Sequence, residues 1–225
     1  MKNIFDFNVI GKSPLFKEIS PEDAPSLLDC LSPYGAHYDK EEYIFHTGEK
    51  ISNFGLVLKG AVHIIKEDYW GNRALIADVY PSDLFGEAFS CSENKILTIS
   101  AVAAEDSEIM HLDVDRIIST CSNSCNFHNR LIRNLVTILA EKNFHLTTKI
   151  THMSQRRMRE KLLSYLSDQS AKKRSPSFEI PFNRQELADY LSVDRSALSA
   201  QLSRLQAEGI LEFERNHFTL LEKGN

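Results

Sequence analysis

Between Tyr43 and Leu112 the apolar residues come in short runs rich in β-branched and aromatic side chains, punctuated by Gly48, Gly55, Gly60, Gly71 and Gly86. That is the rhythm of strands and turns. From Phe54 to Lys66, Leu56, Leu58, Val62 and Ile64 stand at even spacing, and Tyr69-Trp70-Gly71-Asn72-Arg73 supplies a turn before Ala74 to Tyr80. A hairpin in a small barrel or sandwich is predicted. After residue 124 the period changes. Between Cys125 and His152 there is no Pro or Gly, and Phe127, Leu131, Leu135, Ile138, Leu139, Leu146, Ile150 and Met153 recur mostly three or four residues apart, which predicts one long amphipathic helix. Its stripe could be buried within its own domain or pair with a second copy as a coiled coil. A helix of about 28 residues is roughly 42 Å long, more than one small domain covers, so a dimerisation helix is expected.

The remaining third reads as helices and a hairpin. Gln155 to Leu166 predicts a helix with Met158, Leu162, Leu163 and Leu166 inward, and the polar stretch Ser170 to Pro176 reads as a solvated loop. Asn183 is placed to cap a helix from Arg184 to Leu191, with Glu186 completing a capping box. Ser192-Val193 makes a turn, Asp194 caps a second helix from Arg195 to Ala207, and Gly209 ends it. Ala188 sits where the two helices approach most closely. Leu198, Leu202 and Leu205 face a core with Leu187, Leu191 and Val193, which is helix-turn-helix spacing. Ser192 occupies a turn position often filled by Gly, at a cost of about 1 kcal/mol for a left-handed non-glycine residue. Residues 210–214 and 217–221 flank Arg215-Asn216 and read as a β-hairpin wing.

The second helix presents Arg195, Ser196 and Ser199 in its first turns, away from Leu198 and Leu202, so these three are the candidates for base edges. Arg184 and Arg204 are the candidate phosphate anchors. Arg195 could instead be a surface charge paired with Asp194 or a phosphate.

Composition changes this picture at one point. The net charge of −5 is unexpected for a DNA binder, but residues 152–225 hold 12 Lys+Arg against 10 Asp+Glu, so the acidity lies upstream. With 225 residues, 42% of them hydrophobic and 25% charged, the chain is an ordinary soluble globular sequence with room for two domains. No apolar run is long enough to span a bilayer, and the N-terminus lacks a secretory pattern, so a cytoplasmic location with no membrane contact is expected. The fold class expected is α+β: an N-terminal β-barrel or jelly-roll sensor domain (1–124), a dimerisation helix (125–152) and a C-terminal winged helix-turn-helix (153–225).

Three strings carry a family resemblance. Ser13-Pro14-Leu15-Phe16, Tyr80-Pro81-Ser82-Asp83-Leu84-Phe85-Gly86-Glu87 and Asn183-Arg184-Gln185-Glu186-Leu187-Ala188-Asp189-Tyr190-Leu191, in the order β-domain, long helix, winged helix, resemble the bacterial Crp/Fnr regulators. The resemblance covers most of the chain. It implies a cyclic-nucleotide-binding-like sensor domain and a homodimer on a two-fold symmetric DNA site, with the long helix as the allosteric link. In the cyclic-nucleotide members a Gly-Glu pair and a following Arg hold ribose and phosphate. Gly86 and Glu87 match that pair, followed here by Ala88, but the Arg position falls on Leu97 and its neighbour on Thr98. An apolar side chain cannot pair with a cyclic phosphate, so cyclic AMP is not the expected effector. The base-contacting positions align approximately with Lys142 and Asn143. Lys142 could hold a different anion or be a solvated or inter-subunit charge, and Gly86 and Glu87 could be only a turn residue and a cap.

Other chemistries find little support. Only Cys30 lies where the family's iron-sulfur sensors need a cysteine cluster. Cys121 and Cys125 could share a helical face, but two thiols do not make a metal site. His46 and His63 sit in strand-like segments without a His-x-His pattern and read as ordinary half-buried side chains, a haem ligand being the alternative. No metal and no cofactor is expected, nor an enzyme. A dimeric regulator with a small-molecule effector competes with a regulator without one, whose β-domain is scaffold and RNA-polymerase contact. A cupin-type metal enzyme fused to a DNA-binding head is the third reading.

Overall fold

The computed structural model describes residues 7–119 and 126–221. In chain order the elements are α1 (Phe7–Ile10), a 3-10 turn (Pro14–Phe16), α2 (Ala24–Leu31), β1 (Tyr34–Tyr38), β2 (Tyr43–Phe45), β3 (Asn53–Lys59), β4 (Val62–Glu67), β5 (Arg73–Val79) and β6 (Leu84–Phe85). Then come α3 (Glu87–Ser90), β7 (Ser100–Ala103), β8 (Ser107–Asp113), α4 (Val114–Ile118), α5 (Asn126–Met153), α6 (Met158–Lys173), β9 (Ser177–Glu179), α7 (Arg184–Leu191), α8 (Arg195–Ala207), β10 (Leu211–Glu214) and β11 (His217–Leu220). They form two compact units, Met1–Ala140 and Glu141–Asn225. The expected pair Cys121 and Cys125 lies outside the described residues. Among the described residues no helix is long and apolar enough to cross a membrane.

The first unit is an eight-stranded sandwich of two antiparallel sheets, β1-β8-β3-β6 and β2-β7-β4-β5. The first sheet is covered on both faces, and the strand period of two divides its side chains accordingly. Phe54, Leu56, Met110 and Leu112 join an outer cluster with Leu15, Phe16, Leu27, Leu31, Ile117, Leu131, Leu135 and Ile138 from the helices. Val57 and Ile109 point the other way, into an inner cluster with Phe45, Ile51, Phe85 and Leu97. Asn134 ties α5 to the 3-10 turn, its buried amide donating to the carbonyls of Leu15 and Lys17 at 2.9 Å each. Both carbonyls are thereby satisfied without water.

Phe54 to Lys66 is not one arm of a hairpin. It is broken at Gly60 into β3 and β4, which belong to different sheets. Gly60 has φ +84°, and a Cβ there would lie 2.3 Å from Ser107 Oγ, so the chain crosses between sheets where only glycine fits. The predicted turn at residues 69–73 does join a hairpin, with β4 alone as its first arm and β5 as its second, and Asp68 accepts hydrogen bonds from the backbone of Trp70 and Asn72. Strand β1 precedes the segment read as β-rich.

In the second unit α6 extends to Lys173, past the Leu166 expected, and takes in the first part of the segment read as a solvated loop. Lys172 pairs with Asp168 one turn earlier at 2.8 Å, and the two terminal lysines oppose the negative end of the helix dipole. The wing has a third strand the periodicity did not reveal, β9 pairing with β11 through Phe178 opposite Phe218.

His111, on β8, is buried with its Nε2 3.0 Å from the Tyr38 hydroxyl and its ring stacked on Tyr34. Burial pushes its pKa down to about 4, so the fold takes it neutral. Below the ordinary histidine value near 6.5 the unfolded chain binds a proton that the folded one refuses until about pH 4, and stability falls across that window. Urea unfolding of the wild type is expected to lose about 1 to 3 kcal/mol between pH 6.5 and pH 4 that His111→Phe does not lose. Parallel pH curves for the two proteins would refute the assignment.

Candidate nucleic-acid interface

Local chemistry sets each helix of the C-terminal pair. The Asn183 side chain accepts from the backbone amides of Gln185 and Glu186, and the Glu186 carboxylate accepts from the Asn183 amide at 2.8 Å, a complete capping box. α7 ends at Ser192, whose φ of +51° places a non-glycine residue in the left-handed region as expected. The Asp194 carboxylate then accepts from the Ser196 hydroxyl and the Ala197 amide, which holds it below the usual carboxylate range. The two helices lock through Leu187, Ala188, Leu191, Leu198, Leu202 and Leu205, all fully buried with Leu162, Leu166, Leu211 and Phe218. Val193 is only half-buried at the edge of this cluster.

An open cleft of about 820 Å³ lies beside this pair, lined by Pro181, Phe182, Asn183, Arg184, Gln185, Glu186, Arg195, Arg215 and Asn216. Three arginines from three elements therefore meet one concavity. Arg184, the first residue of α7, is half-buried, with its guanidinium 4.8 Å from the Phe213 ring centre and 5.3 Å from that of Phe218. Burial lowers its pKa, yet a guanidinium stays charged in proteins. The two rings hold it in place by cation-π contact. Arg195, the first residue of α8, and Arg215, at the turn between β10 and β11 with φ +52°, are exposed.

Of the five residues singled out for nucleic acid, the cleft brings Arg184 and Arg195 together. Ser196, Ser199 and Arg204 are exposed along α8. The Ser196 hydroxyl is given to Asp194, and that of Ser199 donates to the Arg195 carbonyl at 3.0 Å. Arg215 and Gln185 were not foreseen as site residues. In the sequence Arg215 is marked only as a basic residue at the wing turn following the second helix.

The residues expected around an effector are in two places. Gly86, with φ +82°, starts the short helix α3, and a Cβ there would sit 3.4 Å from the Phe45 ring. Glu87 is buried, Ala88 and Thr98 are exposed, and Leu97 is 1% exposed. Leu97 packs in the inner sandwich cluster with Phe45, Ile51 and Phe85, and its backbone bonds both Gly48 and Glu49. Lys142 and Asn143 are exposed on the second unit's part of α5. His63 is held 2.6 Å from Asp78, and His46 stacks exposed on Tyr43 rather than being half-buried.

A family model of the cyclic nucleotide-binding domain matches residues 36–124, and one of the Crp-like helix-turn-helix domain matches residues 160–224. The cyclic AMP receptor protein of Thermus thermophilus is 26% identical over 199 residues, 88% of each chain. The transcriptional activator protein FnrA of Stutzerimonas stutzeri is 22% identical over 214 residues, 93% of this chain and 84% of that one. Among solved structures, the c-di-GMP responsive global regulator CLP of Xanthomonas campestris aligns with a TM-score of 0.52 at 18% identity, over 89% of this chain and 100% of that one, a likeness that shows the fold.

Removing the cap of α7 tests how much the local chemistry contributes. Asn183→Ala is expected to destabilise the second unit by about 1 kcal/mol, read as a lower urea midpoint at unchanged slope. An unchanged midpoint would mean that packing alone sets the start of α7.

Proposed function

The chain belongs to the Crp/Fnr family of transcription regulators, and from that premise we propose that it acts as a homodimer on a two-fold symmetric site in double-stranded DNA, with RNA polymerase as its partner in transcription. In this reading α8 enters the major groove, and the two heads meet successive grooves about 34 Å apart. The observation that carries it is the cleft in which Arg184, Arg195 and Arg215 converge from two helices and the wing.

Arg195 starts α8 and is exposed, so it is the residue for a bidentate contact to guanine. Ser196 and Ser199 follow it on the exposed face. Their protons are used locally, and they offer acceptor lone pairs to a base edge. Arg184, fixed by its aromatic stack, and Arg204 are phosphate anchors, and Arg215 at the wing tip is a third.

Control by a small effector other than cyclic AMP, held around Gly86, Glu87, Ala88, Leu97 and Thr98, completes the reading. A buried leucine offers a cyclic phosphate no charge-assisted hydrogen bond. The same observation favours a second reading. Leu97 shares an apolar interior with Phe45, Ile51 and Phe85, as in a sandwich that serves as scaffold without any effector.

Arg195→Ala is expected to cost about 1 to 3 kcal/mol in DNA binding and to relax preference at one base position, measured on sequences selected from random DNA. Arg215→Ala should instead weaken binding to all sequences alike and lower the salt slope by about 1. If Arg195→Ala weakened every sequence equally, its base-reading role would be lost. Cyclic AMP should leave the melting temperature unchanged; stabilisation by several degrees would overturn the reading of Leu97.

A further inference from the structure

The wing carries a row of three aromatic rings. Phe213 of β10 stands opposite Phe218 of β11, which stands opposite Phe178 of β9, so all three project from one face of the sheet. Phe178 and Phe218 are buried in the leucine core, and Phe213 is half-buried at its rim. The Phe213 and Phe218 rings lie 25° apart in plane with centres 6.0 Å apart, and the Arg184 guanidinium sits over both, 4.8 Å from one centre and 5.3 Å from the other. Among the described residues no carboxylate oxygen lies within ion-pairing distance of it.

We propose that Phe213 is a positioning residue for DNA binding: with Phe218 it holds the Arg184 guanidinium by its face, so that the N–H groups in the guanidinium plane are presented to a backbone phosphate at the cleft. Phe213 acts through Arg184 and not by touching DNA. This role rests on the DNA-binding reading above.

A ring and a carboxylate hold an arginine in different ways. A carboxylate takes the N–H donors and neutralises the charge, which removes both from a phosphate. A ring attracts the cation through its face and leaves the five in-plane donors unused. The difference matters at this cleft because Arg195 and Arg215, both exposed, line the same concavity. Like charges around one cleft repel, and an untethered cation at position 184 would swing into solvent. Lysine has no plane to lay on the rings, so its charge alone does not replace the arginine. The platform also makes the phosphate contact of α7 depend on the wing, since Phe213 and Phe218 belong to the two strands of its hairpin.

The test measures affinity of the full-length chain for a duplex selected from random DNA and for an unrelated duplex, at fixed salt, with a urea midpoint for each variant. Arg184→Lys should weaken binding to both duplexes by about tenfold although the charge is kept. Phe213→Leu should weaken them to a similar extent, and Phe213→Tyr, which keeps the ring, should stay within about twofold of the wild type. In an Arg184→Met background the further change Phe213→Leu should cost nothing, because the side chain it positions is gone. Arg184→Lys binding as the wild type does would overturn the proposal. So would equal losses from Phe213→Leu with and without Arg184, or a Phe213→Tyr variant as weak as Phe213→Leu. Where Phe213→Leu fails to fold, Arg184→Lys decides: a tenfold loss at an unchanged urea midpoint supports the role, and retained affinity removes it. A wild type that binds no duplex would remove the DNA-binding reading and this role together, whereas a binding wild type matched by Arg184→Lys would remove this role alone.

Discussion

Burial of α5 is the constraint on which the rest of the first unit depends. This helix runs for 28 residues, and Leu131, Leu135 and Ile138 of its first half go into the outer cluster beside β3 and β8. A sheet covered by helices on one face and by a second sheet on the other must carry apolar residues at both parities, which is why β3 is buried on both sides while β5, at an edge, is exposed over most of its length. Asn134 completes the fit, since its buried amide finds acceptors in the carbonyls of Leu15 and Lys17.

The second unit follows a different logic. Its two key helices are set locally, by a capping box at Asn183 and Glu186 and by an acceptor at Asp194, and are then locked by a leucine core in which Ala188 permits close approach. The caps and the core use the inner faces, and Arg195, Ser196 and Ser199 in the first turns of α8 are exposed outside the leucine core. The exception is Arg184, whose charge lies over Phe213 and Phe218 so that one residue serves both packing and the cleft.

Leu97, proposed above to stand where a phosphate-binding arginine would be needed, is part of the core. Changing it to a charged residue would disturb that packing, so any recognition gained there would come with a loss of stability. Gly86 and Glu87 form a left-handed turn and the first residue of the short helix α3.

The chain's one-dimensional pattern determined whatever depends on neighbours within a few residues. α7 and α8 were legible to the residue, because caps, left-handed turns and leucine spacing act over one or two turns of helix. The long helix was legible from the absence of Pro and Gly over four heptads of apolar recurrence. Where the pattern misled, a distant partner or an unweighed local pair had decided. β3 and β4 look like one alternating run but part at Gly60, where Ser107 leaves no room for a side chain; β9 is too short to show a period and pairs with β11; and α6 runs on past Leu166, where Lys172 meets Asp168. The cleft itself belongs to tertiary structure alone. Arg184, Arg195 and Arg215 are up to 31 positions apart in the chain, and only the packing of the wing against the helix pair brings three like charges around one concavity.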